Sequence, residues 1–74
     1  MIAENTLLQN RYLVVRLIAH GGMGAVYLAR DQRLHSDIAL KETFFFDNRL
    51  LFIETRIETG FNKRMQWRPL SSLI

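Results

Sequence analysis

Three glycines and one lysine are the residues of this sequence whose types and spacing could bind a charged ligand. Gly21, Gly22 and Gly24 fall within four residues, and Lys41 follows Val26 by fifteen positions. Backbone without Cβ atoms can bring its N–H groups close to phosphate oxygens, and a nearby ammonium group neutralises part of their charge. This combination predicts a site for the triphosphate of a nucleotide.

The elements that must hold these residues are predicted to be strands. Residues 12–18 are rich in β-branched and aromatic side chains and run into the glycine cluster, as a strand does before a turn. Residues 25–29 form the returning strand, and residues 38–44 form a third strand after a polar turn. Alternation along that third strand places Ala39 and Lys41 on one face. A small apolar residue therefore lies beside the ammonium group.

An amphipathic helix is predicted after the third strand, from about residue 48 to about residue 59. Asp47 or Asn48 can cap its N-terminus, and Gly60 can end it. Its apolar residues fall within roughly 80° of one another on a helical wheel: Leu50, Ile53, Ile57 and Phe61. The predicted fold class is α+β, a three-stranded antiparallel meander with one α-helix and a poorly ordered C-terminal tail.

The glycine cluster and the lysine together resemble the amino-terminal lobe of bacterial-type serine/threonine protein kinases. That family carries a G-x-G-x-x-G-x-V loop over the nucleotide and a lysine in a V-A-I-K motif. Ile38-Ala39-Leu40-Lys41 matches the lysine motif, while Asn10-Arg11-Tyr12 and Asp31 add to the likeness. The resemblance covers roughly residues 8–50 and implies a kinase-like N-lobe.

The resemblance assigns the loop positions individually. Ala19, Gly21 and Gly24 stand where the family has its three glycines, and Val26 stands where a valine covers adenine. Ala19 departs from the pattern, and its methyl group narrows the backbone choices and can crowd the nucleotide. The ATP site implied by the resemblance consists of these residues: Ile18, Ala19, Gly21, Gly22, Gly24, Val26, Ala39 and Lys41.

The resemblance also implies a glutamate that pairs with Lys41 and holds it against the α and β phosphates. Glu54 and Glu58 lie four residues apart on the rim of the predicted apolar stripe. Either could be that glutamate. A third interpretation is that both are solvated and pair with nothing.

The groups that carry out phosphoryl transfer are missing from this sequence. His20 precedes Gly21 and His35 precedes Ser36, so neither begins a His-Arg-Asp motif, and Phe46-Asp47-Asn48 is not Asp-Phe-Gly. The reaction needs an aspartate for the incoming hydroxyl and ligands for Mg²⁺. We therefore predict no catalytic residue and no protein metal ligand. ATP would bind with Mg²⁺ from solution, no tighter than roughly millimolar, and enzymatic activity stays an open question.

Length and composition set the remaining expectations. The chain has 74 residues, no cysteine and a formal charge of +3. The predicted organisation is a partial kinase lobe over residues 8–59 and a basic tail over residues 60–74, which carries Lys63, Arg64 and Arg68. The loss of resemblance after Leu51 predicts a truncated or frameshifted product. We expect a cytoplasmic protein without nucleic-acid or membrane partners, since no apolar run reaches the roughly 18 residues that span a bilayer.

The preferred functional hypothesis is a kinase-like protein that binds ATP and does not transfer phosphate by itself. An alternative is a protein-interaction module, in which an exposed apolar face including Ile18, Val26 and Ala39 binds a kinase or another partner. A non-functional gene remnant is the third possibility.

Overall fold

The computed structural model describes residues 1–45, 48–59 and 62–70 as a single antiparallel sheet. The side chains of Phe45, Asn48, residues 55–59 and residues 62–65 fall outside this description. The sheet has six strands in this part of the chain: β1 Leu7–Leu8, β2 Tyr12–Gly21, β3 Gly24–Asp31, β4 Ser36–Phe45, β5 Asn48–Thr59 and β6 Asn62–Pro69.

The strands follow one another across the sheet in chain order, from β1 to β6, and each pairs antiparallel with the next. The sheet curls into a half-barrel. Two register shifts in β2, between Val14 and Arg16 and between Leu17 and Ala19, add residues on that strand only. Such bulges increase local twist and bend a strand, which favours a curled sheet over a flat one.

One face of the sheet, here called the buried face, carries the hydrophobic core. Tyr27 pairs with Leu40, and Leu40 pairs with Ile53, so these three side chains lie side by side across β3, β4 and β5. All three are at most 5% exposed. The core cluster consists of Tyr12, Val14, Ala25, Tyr27, Ala29, Leu40, Ile53 and Leu70.

The predicted α+β class is wrong, because the described part of the chain contains no α-helix. The three predicted strands are present as β2, β3 and β4, but the predicted helix over residues 48–59 is instead the strand β5. Its β-branched residues recur at every second position, as Ile53, Thr55, Ile57 and Thr59. That spacing and those residue types favour a strand, and β5 also supplies hydrogen-bond partners for the free edge of β4.

The prediction of a poorly ordered tail over residues 60–74 is also wrong for residues 62–70, which the structure describes. Residues 62–69 form β6, and Leu70 is 3% exposed in the core. Its carbonyl oxygen accepts a hydrogen bond from the Gln9 side chain at 2.9 Å, which ties the end of β6 to the turn before β2. The predicted helix cap at Asp47 and helix end at Gly60 lie outside the described residues, as does Phe61.

A buried polar network crosses the core. The Glu42 side chain is fully buried on β4, and its Oε1 accepts a hydrogen bond from the Tyr27 hydroxyl group at 2.9 Å. The same hydroxyl oxygen accepts a hydrogen bond from the Ile2 backbone N–H at 2.9 Å. Arg49 donates to Glu42 Oε2 at 3.2 Å. Burial raises the pKa of Tyr27, and its hydrogen bond to Glu42 adds to this.

A second buried carboxylate, that of Asp31, lies at the end of β3, where β3 pairs with the start of β2. Asp31 is 2% exposed and accepts two hydrogen bonds from the Arg11 guanidinium group, at 2.9 and 2.8 Å. Its Oδ1 also accepts the backbone N–H groups of Arg33 and Leu34, which shapes the turn between β3 and β4. The hydrogen bond from Arg11 is the largest cause that lowers the pKa of Asp31, from 3.8 to about 2.

We expect the Asp31 contacts to stabilise the fold above about pH 4 and to be lost as the pH falls toward 2, because the pKa is depressed in the folded state. The shift corresponds to about 2 kcal/mol. Urea unfolding of the wild type and Asp31→Asn should differ by about that amount near pH 6, and by much less near pH 2. A difference that does not change with pH would contradict the assignment.

Candidate functional site

The second face of the sheet, here called the open face, brings together residues that the sequence places far apart. Ala19 pairs with Val26, Val26 pairs with Lys41, and Lys41 pairs with Phe52. Directly opposed residues on neighbouring strands have Cβ atoms about 5 Å apart. Three residues of the predicted ATP site therefore form one continuous row across β2, β3 and β4.

A parallel row lies one step toward the other end of the strands. Leu28 pairs with Ala39, so Ala39 and Lys41 lie on the same face of β4, as alternation along a strand requires. Glu54 pairs with Trp67 on the adjoining strands β5 and β6. The open face thus has apolar side chains beside the Lys41 ammonium group and the Glu54 carboxylate, and the exposed Arg30–Asp37 ion pair lies further along β3 and β4 on the same face.

Ile18 and Ala39 also line an open cleft of about 660 Å³. Leu28, Glu54 and Arg68 of β6 also line this cleft. The volume falls within the roughly 300–1,000 Å³ typical of small-molecule sites. Lys41, Val26 and the glycines are not among the described residues that line the cleft. Tyr12, Asp31 and Ile53 of the buried face also line the cleft, so it is not confined to the open face. It adjoins the lysine row at Ala39, two residues from Lys41.

The glycine cluster forms the tight turn between β2 and β3. Gly21 pairs with Gly24 across the turn, and Gly22 and Met23 connect them. Gly21 and Gly22 are exposed, and a Cβ atom on either would meet no other atom within 4 Å. The turn lies two residues beyond the row of Ala19 and Val26, roughly 7 Å along the strands.

Gly24 has a different role from the other two glycines. Its φ angle is +155°, and a Cβ atom there would lie 2.0 Å from the backbone oxygen of Glu42. The Phe44 N–H donates a hydrogen bond to the Met23 carbonyl oxygen at 3.0 Å, which also holds the turn against β4. Close approach of β3 to β4 therefore requires glycine at this position.

Lys41 contacts the aromatic ring of Trp67. Its Nζ lies 5.6 Å from the centroid of that ring, which is within the range of a cation–π interaction. Lys41 is half-buried, and Trp67 is 43% exposed. The indole ring therefore extends over β5 toward the ammonium group while keeping much of its surface in water.

The two glutamates predicted to pair with Lys41 lie on a strand rather than a helix. Glu54 is on the open face, and among the described contacts no hydrogen bond or ion pair joins it to Lys41. The backbone of Glu58 pairs with Lys63 further along β5 and β6, and its side chain lies outside the described part of the structure. The pairing predicted for Lys41 therefore stays a prediction.

Several residues of this arrangement were not identified from the sequence. Glu42, Tyr27 and Arg49 form the buried network, and Trp67 contacts the candidate lysine. Alternation along β4 does place the side chains of Glu42 and Lys41 on opposite faces of the sheet. No local sequence pattern indicates that the face of Glu42 is buried. Trp67 lies in a segment whose basic composition predicts a tail, and only the pairing of β5 with β6 brings it to Lys41.

No protein-family model matches the sequence, and no curated protein or solved structure matches it either. The described residues contain no helix with the length and hydrophobicity needed to cross a membrane. Within the same residues, no group of three His, Asp or Glu side chains is arranged to hold a metal ion.

Proposed function

We propose that this chain binds ATP weakly on the open face of its sheet, as a kinase-like protein that does not transfer phosphate by itself. The observation that carries the proposal is the row formed by Ala19, Val26 and Lys41, with Ala39 on the same face of β4. The base would lie against the apolar side chains, and the triphosphate would extend between Lys41 and the glycine turn. Mg²⁺ would arrive with the nucleotide.

The physical features of the site support a nucleotide over an uncharged ligand. Lys41 supplies a positive charge beside apolar surface, and the exposed N–H groups around Gly21 and Gly22 can approach phosphate oxygens because no side chain shields them. The cleft beside Ile18 and Ala39 has the volume that small ligands need, and its lining combines apolar side chains with charged ones such as Glu54 and Arg68. The open geometry is consistent with an affinity no tighter than roughly millimolar.

Lys41→Ala is expected to abolish stabilisation by nucleotide. At about 10 mM Mg-ATP and a Kd of about 1 mM, mass action stabilises the folded state by about 1.4 kcal/mol. That amount corresponds to a rise in melting temperature of roughly 5–10 °C for a domain of this size. Thermal unfolding of the wild type should show this rise, and Lys41→Ala should show none.

Arg33→Ala provides the matched control, because Arg33 is an exposed cation in the turn between β3 and β4. Its backbone N–H, which contacts Asp31, is kept in the variant. The control should retain the full thermal shift. An equal loss of the thermal shift in both variants would mean that stabilisation by ATP depends only on the net charge of the protein. Cooperative unfolding of the wild type without any thermal shift would contradict nucleotide binding.

Protein interaction is a second candidate function, favoured by large apolar side chains that remain exposed. Ile18 is 50% exposed, and Leu50 and Trp67 are each 43% exposed. A partner such as a kinase would cover this surface, and its binding would persist in Lys41→Ala. Affinity measurements with a purified kinase, compared between the wild type and Leu50→Ser, would test this candidate. Absence of any cooperative unfolding transition would instead favour the non-functional remnant.

A further inference from the structure

We infer that Trp67 is the base-stacking residue of the nucleotide site and makes that site prefer nucleotides over inorganic polyphosphate. This inference rests on the proposed function, since it concerns the same open face. It adds a residue from β6, a strand that has no part in the glycine and lysine motifs.

The first argument is the position of the indole ring. Trp67 pairs with Glu54 across β5 and β6, and Glu54 lines the same cleft as Ile18, Leu28 and Ala39. Trp67 is not among the described residues that line the cleft. Its ring lies next to the Lys41 ammonium group, which is 5.6 Å from the ring centroid. A planar base and its phosphates require that combination, an aromatic surface beside a cation.

The second argument is the exposure of the ring. A tryptophan that served only the core would be buried, whereas Trp67 is 43% exposed although its neighbour Leu70 is 3% exposed. Aromatic rings bind bases by stacking, which does not depend on base identity because every base has a π face. Trp67 therefore offers an accessible aromatic surface on which a base can stack.

The third argument concerns the contact with Lys41. Among the described residues, the indole ring of Trp67 contacts the ammonium group of Lys41. A phosphate group is a stronger partner for an ammonium ion than a ring face, since it carries full negative charge and accepts hydrogen bonds. Nucleotide binding would thus exchange the ring for phosphate at Lys41 and leave the ring free to stack on the base.

Fluorescence of Trp67 provides a direct measurement, because the chain contains a single tryptophan. Titration with Mg-ATP should change the emission of the wild type and saturate at the Kd found independently by equilibrium dialysis. Sodium tripolyphosphate should bind at least about tenfold more weakly than ATP, because it has no base to stack. Equal affinity for the two ligands in the wild type would overturn the inference.

Substitution separates stacking from phosphate binding. By equilibrium dialysis, Trp67→Leu should weaken ATP binding about tenfold and change the affinity for tripolyphosphate by less than about twofold. Trp67→Phe should retain most of the affinity for ATP, because it keeps an aromatic ring. Leu7→Ala is the control, since Leu7 is also 43% exposed and lies on β1 at the other edge of the sheet.

The outcomes distinguish this inference from the function on which it rests. Unchanged ATP affinity in Trp67→Leu would overturn the stacking role and leave the Lys41 site intact. Failure of the wild type to bind either ligand would overturn the proposed function, and the stacking role with it. If Trp67→Leu does not fold, the comparison of the wild type with Trp67→Phe, and of ATP with tripolyphosphate, still decides the question.

Discussion

Gly24→Ala is expected to destabilise the chain by about 3 kcal/mol or more, the largest effect of any glycine substitution in the turn. The added methyl group would lie 2.0 Å from the Glu42 carbonyl oxygen, so β3 and β4 would have to separate where they pair. The φ angle of +155° at Gly24 adds strain for any residue with a Cβ atom. Urea unfolding measured by circular dichroism would give the loss directly.

Gly21→Ala and Gly22→Ala are the matched controls, because a Cβ atom at either position meets nothing within 4 Å. We expect each to change stability by no more than about 0.5 kcal/mol. Their effect on ATP binding is then informative, since it cannot result from unfolding. A large stability loss at Gly21 or Gly22, or a small one at Gly24, would contradict the division of roles within the turn.

Glu42→Ala is expected to destabilise the chain by about 3 kcal/mol, through an unfilled space in the core and a buried Tyr27 hydroxyl group without an acceptor. Glu42 is fully buried and also binds Arg49, so the substitution breaks two polar contacts. Lys41→Ala, at the adjacent position, should cost less than about 1 kcal/mol because it removes only a partly exposed cation–π contact.

Glu4→Ala controls for the loss of one negative charge, since Glu4 is exposed in the N-terminal segment. It should change stability by no more than about 0.5 kcal/mol. Tyr27→Phe combined with Glu42→Ala tests the network itself, because removing the hydroxyl group should relieve part of the cost of the missing acceptor. Independent, additive effects of the two substitutions would contradict a coupled network.

Much of the central sheet follows from local pattern. The β-branched and aromatic residues of 12–18 and the segment 38–44, separated by glycine and polar turns, correctly predict β2 and β4. Alternation along a strand predicts that Ala39 and Lys41 share a face, and the pairing of Val26 with Lys41 agrees with it. These features depend on neighbours in sequence or across a short turn, and local spacing is sufficient to specify them.

The region after β4 could not be assigned from spacing alone. Leu50, Ile53 and Ile57 fit one face of a helix, while Leu51 and Ile53 fit one face of a strand. Two features of the sheet resolve this ambiguity. As a strand, β5 forms hydrogen bonds with the free edge of β4, and its Ile53 packs beside the apolar side chain of Leu40. Both are properties of the assembled sheet.

The sequence by itself determined the chemistry available to this protein: a glycine turn, a lysine fifteen residues after a valine, and no motif for phosphoryl transfer. Only the tertiary structure decided that Glu42 is buried, that Gly24 is required by close strand packing, and that Trp67 reaches Lys41. Turns and strand faces depend on nearby residues, whereas burial and cross-strand contact depend on the register of strands that are distant in the chain.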